Sequence, residues 1–590
     1  MGSPLKQSKE RSLLIGLILT LCMAAIIFRL LWIQVVDAEK LVSQAQESWE
    51  NNNQVIKAKR GTIYDRTKIN ALAWEVNAYY FVADPSQIKD VNKTVKLLSP
   101  ILQIAESSLR EKVSQKRRFV PLKENGKFKY PKEVYDKILS LKDNGELKGI
   151  YGYKTSARQY SGPQLAHVLG FLNSDDKPVG GVESYYNEKW LKGKDGIIKY
   201  KKAKDGMMIS DGPEKFQPPV PGKDLVLSID SSIQNHVEAV LNQVLKSHPA
   251  KGATAIVADP RNGEILAMAS RPTFDPNRST STYTQENGLN LAVQSQFEPG
   301  STFKIVTLAA AINENLFDPN ETFQSGTIKI DDQTIRDWQA DGWGTISYRE
   351  GVYKSSNVAF VNLAEKLGAD RFQEYIDRFG FGKMNAKFGK KTGLDLPAEE
   401  KGIFYHRVPY RSEIATAAFG QGISVTPIQQ IQAVSAIANG GVLYKPHLLK
   451  EVWDAEQKKL VHREKPTGKR IIEQETAKKV RELLRGAVKY GTGQEADLPG
   501  YRVAGKTGTA QKPDPNGGGY LKDKYIVSFV GFAPAESPDV VVYVAFDEPT
   551  NAYGSTSGGT IAAPTARDIL KKTLQLRGVP PKDEEEFDLK

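Results

Sequence analysis

A lysine, Lys304, stands at the head of an otherwise apolar segment that continues to Ile312 and has the composition of a buried helix. Burying an unpaired lysine is costly, so the fold has to give Lys304 partners or a function. Pro299 and Gly300 break the chain before this segment, which places Ser301 near the N-terminus of the helix. Backbone N–H groups and the helix dipole favour a developing negative charge there.

The Ser-x-x-Lys spacing puts the Ser301 hydroxyl and the Lys304 amine on the same face of a helix, one turn apart. A serine hydroxyl is a poor nucleophile until a base takes its proton, and a partly buried lysine with a lowered pKa can be that base. The alternative is a serine that only caps the helix. The spacing alone leaves both interpretations open.

Two later segments carry residues that could complete such a site. Ser355–Asn357 has the pattern Ser-x-Asn before another apolar helix, and it would supply a hydroxyl for proton transfer and an amide that holds substrate. Lys506–Gly508 stands at the end of a strand-like segment, residues 501–505. It would supply a cation, a hydroxyl and a glycine that lets a substrate backbone approach closely.

Length, charge and composition exclude several classes of protein. The chain has 590 residues, too many for one ordinary domain, and a net charge of +12 that favours anionic partners or forms a solvated basic surface. Its basic residues are dispersed, which argues against a nucleic-acid groove. The single cysteine, Cys22, excludes an intramolecular disulfide, and the six histidines lack the spacing of metal ligands, so no metal site is expected.

An apolar segment near the N-terminus, residues 12–36, predicts a transmembrane anchor, since about 20 apolar residues span a bilayer. Residues 1–11 are short and basic, which favours a cytoplasmic N-terminus and places the rest of the chain outside the membrane. A cleaved signal peptide is the alternative, but the apolar run continues past the candidate cleavage site at residues 22–25.

Two domains are predicted beyond this anchor. Residues 37–222 combine short strands, charged helices and turns. Residues 223–577 begin with a strand at 224–230 and a helix from Ser231, and their other predicted elements are strands at 253–259, 264–269, 525–532 and 540–546 and a final helix at 565–574. Strands at both ends with helices between them indicate an α+β domain with a mainly antiparallel sheet. Residues 578–590 are predicted to be disordered.

In that order, Ser-x-x-Lys, Ser-x-Asn and Lys-Thr-Gly resemble the signature of the penicillin-recognising acyl-serine enzymes. Nearly the whole chain is similar to class B penicillin-binding proteins, the monofunctional D,D-transpeptidases of the bacterial wall. The other segments that carry the resemblance are Arg60–Arg66, Gly181–Glu183, Leu191–Gly196 and Phe419–Pro427. It implies an α+β, multidomain fold with an N-terminal membrane helix, an elongated pedestal domain of the dimerisation type, and a C-terminal transpeptidase domain whose antiparallel sheet is flanked by helices.

The resemblance also implies a role for each motif residue. Ser301 would attack a stem peptide ending in D-Ala-D-Ala, or a β-lactam, while Lys304 takes its proton. Ser355 would relay a proton to the leaving D-Ala, and Asn357 would position both substrate and Lys304. The backbone N–H groups of Ser301 and Thr509 would hold the oxyanion. The terminal carboxylate would be bound by Lys506 and Thr507, within a substrate-binding strand formed by Thr507, Gly508 and Thr509.

The partners that the resemblance implies are peptidoglycan stem peptides, β-lactams, the membrane and a glycan-polymerising membrane protein, without cofactor or nucleic acid. The catalytic domain is expected outside the cell membrane on a single-pass anchor, with D,D-carboxypeptidase activity as a side reaction. The alternative function is a membrane-tethered β-lactam sensor or a non-catalytic wall scaffold. The sequence does not distinguish elongation, division and spore formation, and it does not identify the acceptor amine.

Three further matches are interpreted as accidental. Lys391–Gly393 is a second Lys-Thr-Gly, but its charged, glycine-rich surroundings predict a loop. Gly500–Thr507 fits the phosphate-binding loop of nucleotide hydrolases, yet Pro513 and the glycines after it cannot start the helix that this loop requires. Glu286–Asn290 resembles a deacylating element of β-lactamases but precedes Ser301, so efficient β-lactam hydrolysis is not expected.

Overall fold

The computed structural model describes residues 16–29, 32, 53–117, 119–124, 128–202, 208–339, 341–384, 386, 388–404, 408–550 and 557–582. The chain divides into two compact units, the first formed by Met1–Lys59 and Gly193–Pro221 and the second by Arg60–Lys192 and Gly222–Lys590. Of the two predicted terminal segments, residues 1–11 and residues 583–590 lie outside the described residues.

In the first unit, three strands form an antiparallel sheet in the order Asn53–Ile56, Gly196–Lys202 and Met208–Gln217. Residues 16–29 of the predicted anchor are helical with exposed side chains, and most of its other residues lie outside the described part of the chain. Within the described ranges, no helix is both long and apolar enough to cross a membrane.

The second unit contains most of the helices that the structure describes. They are Val91–Leu102, Glu106–Val113, Lys132–Asp143, Ala166–Leu169, Gly181–Tyr185, Ser231–Ser247, Ser279–Thr282, Leu291–Gln294, Lys304–Asn313, Tyr348–Tyr353, Asn357–Leu367, Ala369–Arg378, Arg411–Ala417, Pro427–Ala438, Gln474–Lys489 and Ala563–Leu576. Four two-stranded sheets pair Phe171–Leu172 with Pro178–Val179, Thr322–Gln324 with Thr345–Ser347, Thr327–Ile330 with Gln333–Arg336, and Val442–Tyr444 with Gly468–Arg470.

A mixed, seven-stranded sheet joins strands from distant parts of this unit. Its order is Lys459–Arg463, Leu449–Asp454, Asp224–Leu227, Ile63–Tyr64, Ala71–Ala83 and Val120–Pro121, with Ile150–Tyr160 paired to Ala71–Ala83. Asp224–Leu227 pairs in parallel with Ile63–Tyr64 and antiparallel with Leu449–Asp454. Strands from before and after residue 222, the predicted limit between the two domains, therefore pair within one sheet.

Two of the segments that carried the family resemblance meet at a buried ion-pair network. Glu183 is fully buried, and its carboxylate lies 2.6 Å from both Arg60 Nη2 and Arg158 Nε. A buried carboxylate is stable only when it is paired and hydrogen-bonded, and two guanidinium groups satisfy it here. This network joins the segment before Ile63–Tyr64 and the strand Ile150–Tyr160 to the helix that carries Glu183.

The central sheet has five antiparallel strands in the order Ile265–Arg271, Gly252–Ala258, Val540–Asp547, Tyr520–Ala533 and Ala504–Pro513. Each strand predicted at 253–259, 264–269, 525–532 and 540–546 is confirmed, with the third extended at its N-terminal end. The near-continuous apolar sequence of Val540–Asp547 suits its central place, where both faces are covered. The Ala504–Pro513 strand forms an edge of the sheet.

Helices cover both faces of the central sheet, as predicted. Ser231–Ser247 and Ala563–Leu576 pack on one face, and Asp230 caps the first of them by accepting from two backbone N–H groups. Lys304–Asn313, which we call the nucleophile helix, belongs to the core on the other face with Pro427–Ala438. The nucleophile helix is apolar on every side, so it is buried throughout from Lys304 to Ile312, which confirms the prediction from its sequence.

Candidate active site

Ser301 lies in a short 3-10 turn, Gly300–Thr302, that leads directly into the nucleophile helix. Gly300 has a φ of +55°, and a glycine with φ of +82°, Gly420, packs against it so closely that an added Cβ would lie 2.2 Å from the Gly300 oxygen. The Gly300 N–H donates to the Gly420 carbonyl at 3.0 Å. The Phe419–Pro427 segment thus fixes the turn that presents Ser301.

The amine of Lys304 points into the Ser-x-Asn turn. Its Nζ lies 2.8 Å from the Ser355 carbonyl oxygen, 2.7 Å from Asn357 Oδ1 and 3.2 Å from Ser355 Oγ. Ser355 Oγ is in turn hydrogen-bonded to Ser301 Oγ at 3.2 Å. The described contacts therefore link Ser301 to Lys304 through the hydroxyl of Ser355 and not directly.

Lys304 is 1% exposed, and its environment disfavours the charged amine. Burial lowers the pKa of Lys304 well below its ordinary value, the charge of Lys506 lowers it further, and the negative charge of Asp337 opposes both effects. The ordinary pKa of a lysine is about 10.4, so the side chain is normally protonated at neutral pH. The lowered pKa favours the neutral amine, which is the form whose lone pair can accept a proton.

The second lysine, Lys506, lies inside the edge strand Ala504–Pro513. The strand context predicted for Lys506 is confirmed, but the bounds differ. The ladder with Tyr520–Ala533 begins at Ala504 instead of residue 501 and continues past the motif to Pro513. Lys506 is 2% exposed, and its Nζ donates to the Thr507 carbonyl at 3.1 Å. Burial lowers the pKa of Lys506 to about 7.

The residues after Lys506 are packed closely against the turn that holds Ser301. A Cβ on Gly508 would lie 2.5 Å from Ser528 Oγ and 3.0 Å from Thr302 Cγ2, so any larger residue here would have to displace one of these side chains. The Thr509 hydroxyl accepts from the Gly558 N–H at 3.0 Å. These contacts bring the edge strand alongside Ser301.

A cavity of about 390 Å³ opens between these elements. Its lining includes five of the predicted site residues, namely Ser301, Ser355, Asn357, Thr507 and Thr509. Lys304, Lys506 and Gly508 do not line it: the two lysines are buried behind the wall, and Gly508 is covered by its neighbours. The structure thus gathers the three motifs at one site, with hydroxyl and amide groups at its surface and two buried amines behind them.

Two of the three accidental matches lie away from this cavity, and the third, Gly500–Thr507, overlaps the Lys506 motif. Lys391–Gly393 is a loop, and its Thr392 and Gly393 bind the carboxylate of Glu399. Gly500–Thr507 leads into a strand and no helix follows it. Glu286 and its neighbours line a different cavity, together with His167.

Three residues at the site, Trp338, Thr492 and Asp337, lay outside every motif noted in the sequence. Trp338 and Thr492 line the cavity together with Gln421 of the Phe419–Pro427 segment, and Thr492 Oγ1 lies 2.9 Å from Thr507 Oγ1. Asp337 is buried behind the Ser-x-Asn turn. Asp337 and Trp338 follow the short strand Gln333–Arg336. The only sequence signal available for them was an acidic residue next to a tryptophan in a polar segment.

Comparisons with known proteins agree with this geometry. Residues 253–571 match the penicillin-binding protein transpeptidase domain, and residues 55–227 match the penicillin-binding protein dimerisation domain. The chain belongs to the class B penicillin-binding proteins. The stage V sporulation protein D of Bacillus subtilis (strain 168) is 41% identical over 561 residues, which cover 94% of this chain and 84% of that protein.

A relative named as a peptidoglycan D,D-transpeptidase and a solved penicillin-binding protein match as well. The peptidoglycan D,D-transpeptidase FtsI of Escherichia coli (strain K12) is 30% identical over 581 residues, covering 97% of this chain and 92% of the other. The crystal structure of penicillin-binding protein 2X from Streptococcus thermophilus has a TM-score of 0.70 at 27% identity, covering 91% of this chain and 82% of that one. Both the family and the two-domain fold that the sequence predicted are confirmed.

Proposed function

We propose that this class B penicillin-binding protein cross-links peptidoglycan as a serine-type D,D-transpeptidase, and that Ser301 is the residue acylated by a stem peptide ending in D-Ala-D-Ala. The observation that carries the proposal is the hydrogen-bonded chain from Ser301 Oγ through Ser355 Oγ to Lys304 Nζ at the wall of the cavity. A nucleophile joined to a base that is held by a third group is the arrangement that activates serine.

The contacts of Lys304 suggest how its lone pair is aimed. A neutral amine has two N–H groups, and carbonyl oxygens can only accept, so these two bonds go to the Ser355 carbonyl and to Asn357 Oδ1. The lone pair then faces Ser355 Oγ, the only one of the three partners that can donate. The proton of Ser301 therefore moves to Ser355 while the proton of Ser355 moves to Lys304.

Acylation follows from this transfer. Ser301 Oγ bonds to the penultimate carbonyl carbon, and the backbone N–H groups of Ser301 and Thr509 receive the oxyanion. Removing one donor of this kind typically costs about 2.7–4 kcal/mol of transition-state stabilisation. As the C–N bond breaks, Lys304 returns the proton through Ser355 to the leaving D-Ala nitrogen, which leaves an ester on Ser301.

The second half of the reaction uses the same path. An amine from a neighbouring stem peptide attacks the ester and gives its proton to Lys304 through Ser355. As the bond from Ser301 Oγ to the carbonyl carbon breaks and the cross-link forms, Lys304 returns the proton through Ser355 to Ser301 Oγ. Water in place of the amine gives the carboxypeptidase side reaction. A β-lactam acylates Ser301 in the same way, but its ring opens without releasing a leaving group.

Lys506 and Thr507 bind the terminal carboxylate of the stem peptide in this proposal. Lys506 is buried, no carboxylate of the described residues forms an ion pair with it, and its charge lowers the pKa of Lys304. An arriving carboxylate supplies the missing negative charge and holds Lys506 protonated. Asn357 uses its side-chain oxygen for Lys304 while its amide NH₂ is anchored to the Arg336 carbonyl at 2.8 Å.

The domain limits and the membrane location belong to the proposal as well. We place a cytoplasmic tail at residues 1–11, an anchor at 12–36, the pedestal at 37–222, the transpeptidase domain at 223–577 and a terminal tail at 578–590. Residues 578–582 are described, and the Lys582 N–H donates to the Gly500 carbonyl at 2.8 Å. The apolar sequence of 12–36 and a substrate outside the membrane support the anchor and a glycan-polymerising membrane partner. Alkaline extraction of membranes and protease protection from outside test both ends of this topology.

Labelling with a fluorescent penicillin tests the nucleophile. The full chain should form a covalent adduct, Ser301→Ala should form none, and the exposed-serine control Ser281→Ala should label like the wild type. Covalent labelling of Ser301→Ala would refute the mechanism. Cross-linking of lipid-linked glycan by the wild type, and not by Ser301→Ala, separates an enzyme from a sensor or scaffold.

A further inference from the structure

Behind the Ser-x-Asn turn lies a second layer of contacts that no sequence motif predicts. Residues Arg336–Trp338, which we call the backing segment, follow the hairpin strand Gln333–Arg336. The Trp338 indole N–H donates to the Lys354 carbonyl at 2.8 Å, and the Arg336 carbonyl accepts from the Asn357 amide at 2.8 Å. The two ends of the backing segment thus hold the residues on either side of the Ser355–Ser356 pair.

Between these ends, Asp337 holds the middle of the turn. Its Oδ1 and Oδ2 accept from the Ser356 hydroxyl at 2.9 and 3.0 Å, and Oδ1 also accepts from the Val358 N–H at 3.1 Å. Its Oδ2 accepts from the Gly326 N–H at 2.9 Å. Ser356 is the unspecified position of Ser-x-Asn, so this chain uses the variable residue of the motif to attach the turn to a carboxylate.

The turn needs such support. Ser355 has a φ of +57°, a left-handed conformation that an L-residue other than glycine adopts only when its surroundings enforce it. Ser355 and Asn357 together supply all the polar partners of Lys304 Nζ among the described residues. A small rotation of the turn would therefore change the direction of the Lys304 amine and the distance from Ser355 Oγ to Ser301.

We propose that Asp337 is a positioning residue of the transpeptidase reaction, which fixes the turn carrying Ser355 and Asn357 against Lys304 by binding the hydroxyl of Ser356. The inference rests on the proposed roles of Ser301, Lys304 and Ser355. Asp337 touches neither substrate nor reacting atoms and acts through its neighbours.

The charge of Asp337 gives this role a signature that mere packing lacks. Two charged groups act on Lys304: Lys506 lowers its pKa and Asp337 raises it, while its direct partners Ser355 and Asn357 are uncharged at neutral pH. Replacing Asp337 by asparagine removes the raising effect, so the pKa of Lys304 falls further. The acid limb of the acylation rate should then move to lower pH, because the base loses its proton more readily.

The experiment compares Asp337→Ala, Asp337→Asn and Ser356→Ala in the full chain. The second-order rate of acylation by a fluorescent penicillin is measured from pH 5 to 9, together with the unfolding midpoint. Asp337→Ala should lose about 100-fold, the cost expected for misplacing reacting groups by ~1 Å. Asp337→Asn should lose less and show the acid limb at lower pH, and Ser356→Ala should be slower with the limb unmoved, because the charge remains.

Glu399→Gln is the matched control, since Glu399 is also a buried carboxylate that organises a loop, but away from the cavity. It should lower the unfolding midpoint and leave the acylation rate unchanged. The inference is overturned if Asp337→Ala acylates within twofold of the wild type, or if Asp337→Asn is slower with an unmoved acid limb. The proposed function is tested separately, by labelling of the wild type but not of Ser301→Ala. If Asp337→Ala does not fold, the comparison of Asp337→Asn with Ser356→Ala still tests the inference.

Discussion

The two Lys-Thr-Gly segments of this chain have the same sequence and opposite environments. Lys506–Gly508 lies in an edge strand with its lysine buried, whereas Lys391–Gly393 lies in a loop with its lysine exposed. In the loop, Thr392 and Gly393 bind the carboxylate of Glu399, which comes from the chain itself. In the strand, Thr507 lines an open cavity.

The two segments differ in the group that they bind. The loop segment binds Glu399 of the same chain and contributes to stability. Under the proposed function, the strand segment binds a carboxylate of the substrate, and the burial of Lys506 there costs stability. The same substitution should therefore slow acylation when it is made in the strand segment, and lower stability when it is made in the loop segment.

The largest expected effect distinguishes the two lysines. Lys506→Ala should lower the rate of acylation by a penicillin about 10- to 100-fold, because a hydrogen bond to a charged group contributes about 1.5–3 kcal/mol. Lys391→Ala should acylate at the wild-type rate. Stopped-flow acylation of both purified variants measures this, and equal rates in the two would show that the strand context is not decisive.

A smaller, crossed effect is expected for the two threonines. Thr507→Val should slow acylation about tenfold with little change in unfolding. It removes one hydroxyl from the cavity, and Thr492, which loses its partner, still lines the cavity and remains partly exposed. Thr392→Val should acylate normally but lose about 1–3 kcal/mol of stability, because the buried Glu399 carboxylate loses a donor that lies 2.5 Å away. Acylation kinetics and urea unfolding of each variant show whether Thr507→Val loses rate and Thr392→Val loses stability. A Thr392→Val protein as stable as the wild type would contradict it.

The pH dependence should reveal the buried cation. Lys506 has a pKa of about 7 in the free enzyme, lowered by burial, so its charge is present below that pH and lost above it. Acylation by a β-lactam that carries a carboxylate should therefore decline above about pH 7. Lys506→Arg should remove the decline because a guanidinium stays protonated, and Lys391→Arg should leave the profile unchanged. A decline that persists in Lys506→Arg would assign it to another group.

The two glycines should give the smallest contrast. Gly393 has a φ of +83°, so Gly393→Ala should cost roughly 1–2 kcal/mol of stability through backbone strain alone. Its added Cβ would meet only the flexible Lys445 side chain, at 3.2 Å, and acylation should not change. Gly508→Ala should instead slow acylation, because its Cβ would push against Ser528 and Thr302 beside the nucleophile. Thermal unfolding and penicillin labelling separate the two outcomes.

Much of the fold followed from local pattern. Apolar runs bounded by turns predicted the strands of the central sheet. The apolar sequence after Lys304 predicted that the nucleophile helix is buried. The pairing of Asp224–Leu227 with Ile63–Tyr64 was beyond reach, because no local pattern tells a strand which distant partner it will find. The start of the Lys506 strand at Ala504 was missed for the same reason, since the ladder with Tyr520–Ala533 sets it.

The sequence by itself determined the chemistry that the site can perform: a serine one helical turn before a buried lysine, and two further motifs in a fixed order. Spacing along a helix is set by backbone geometry, so the Ser301–Lys304 relation needed no structure. The tertiary structure alone decided that Ser355 stands between Ser301 and Lys304 and that Asp337 backs the turn. These relations depend on how distant segments pack around one core, and packing is a property of the whole chain.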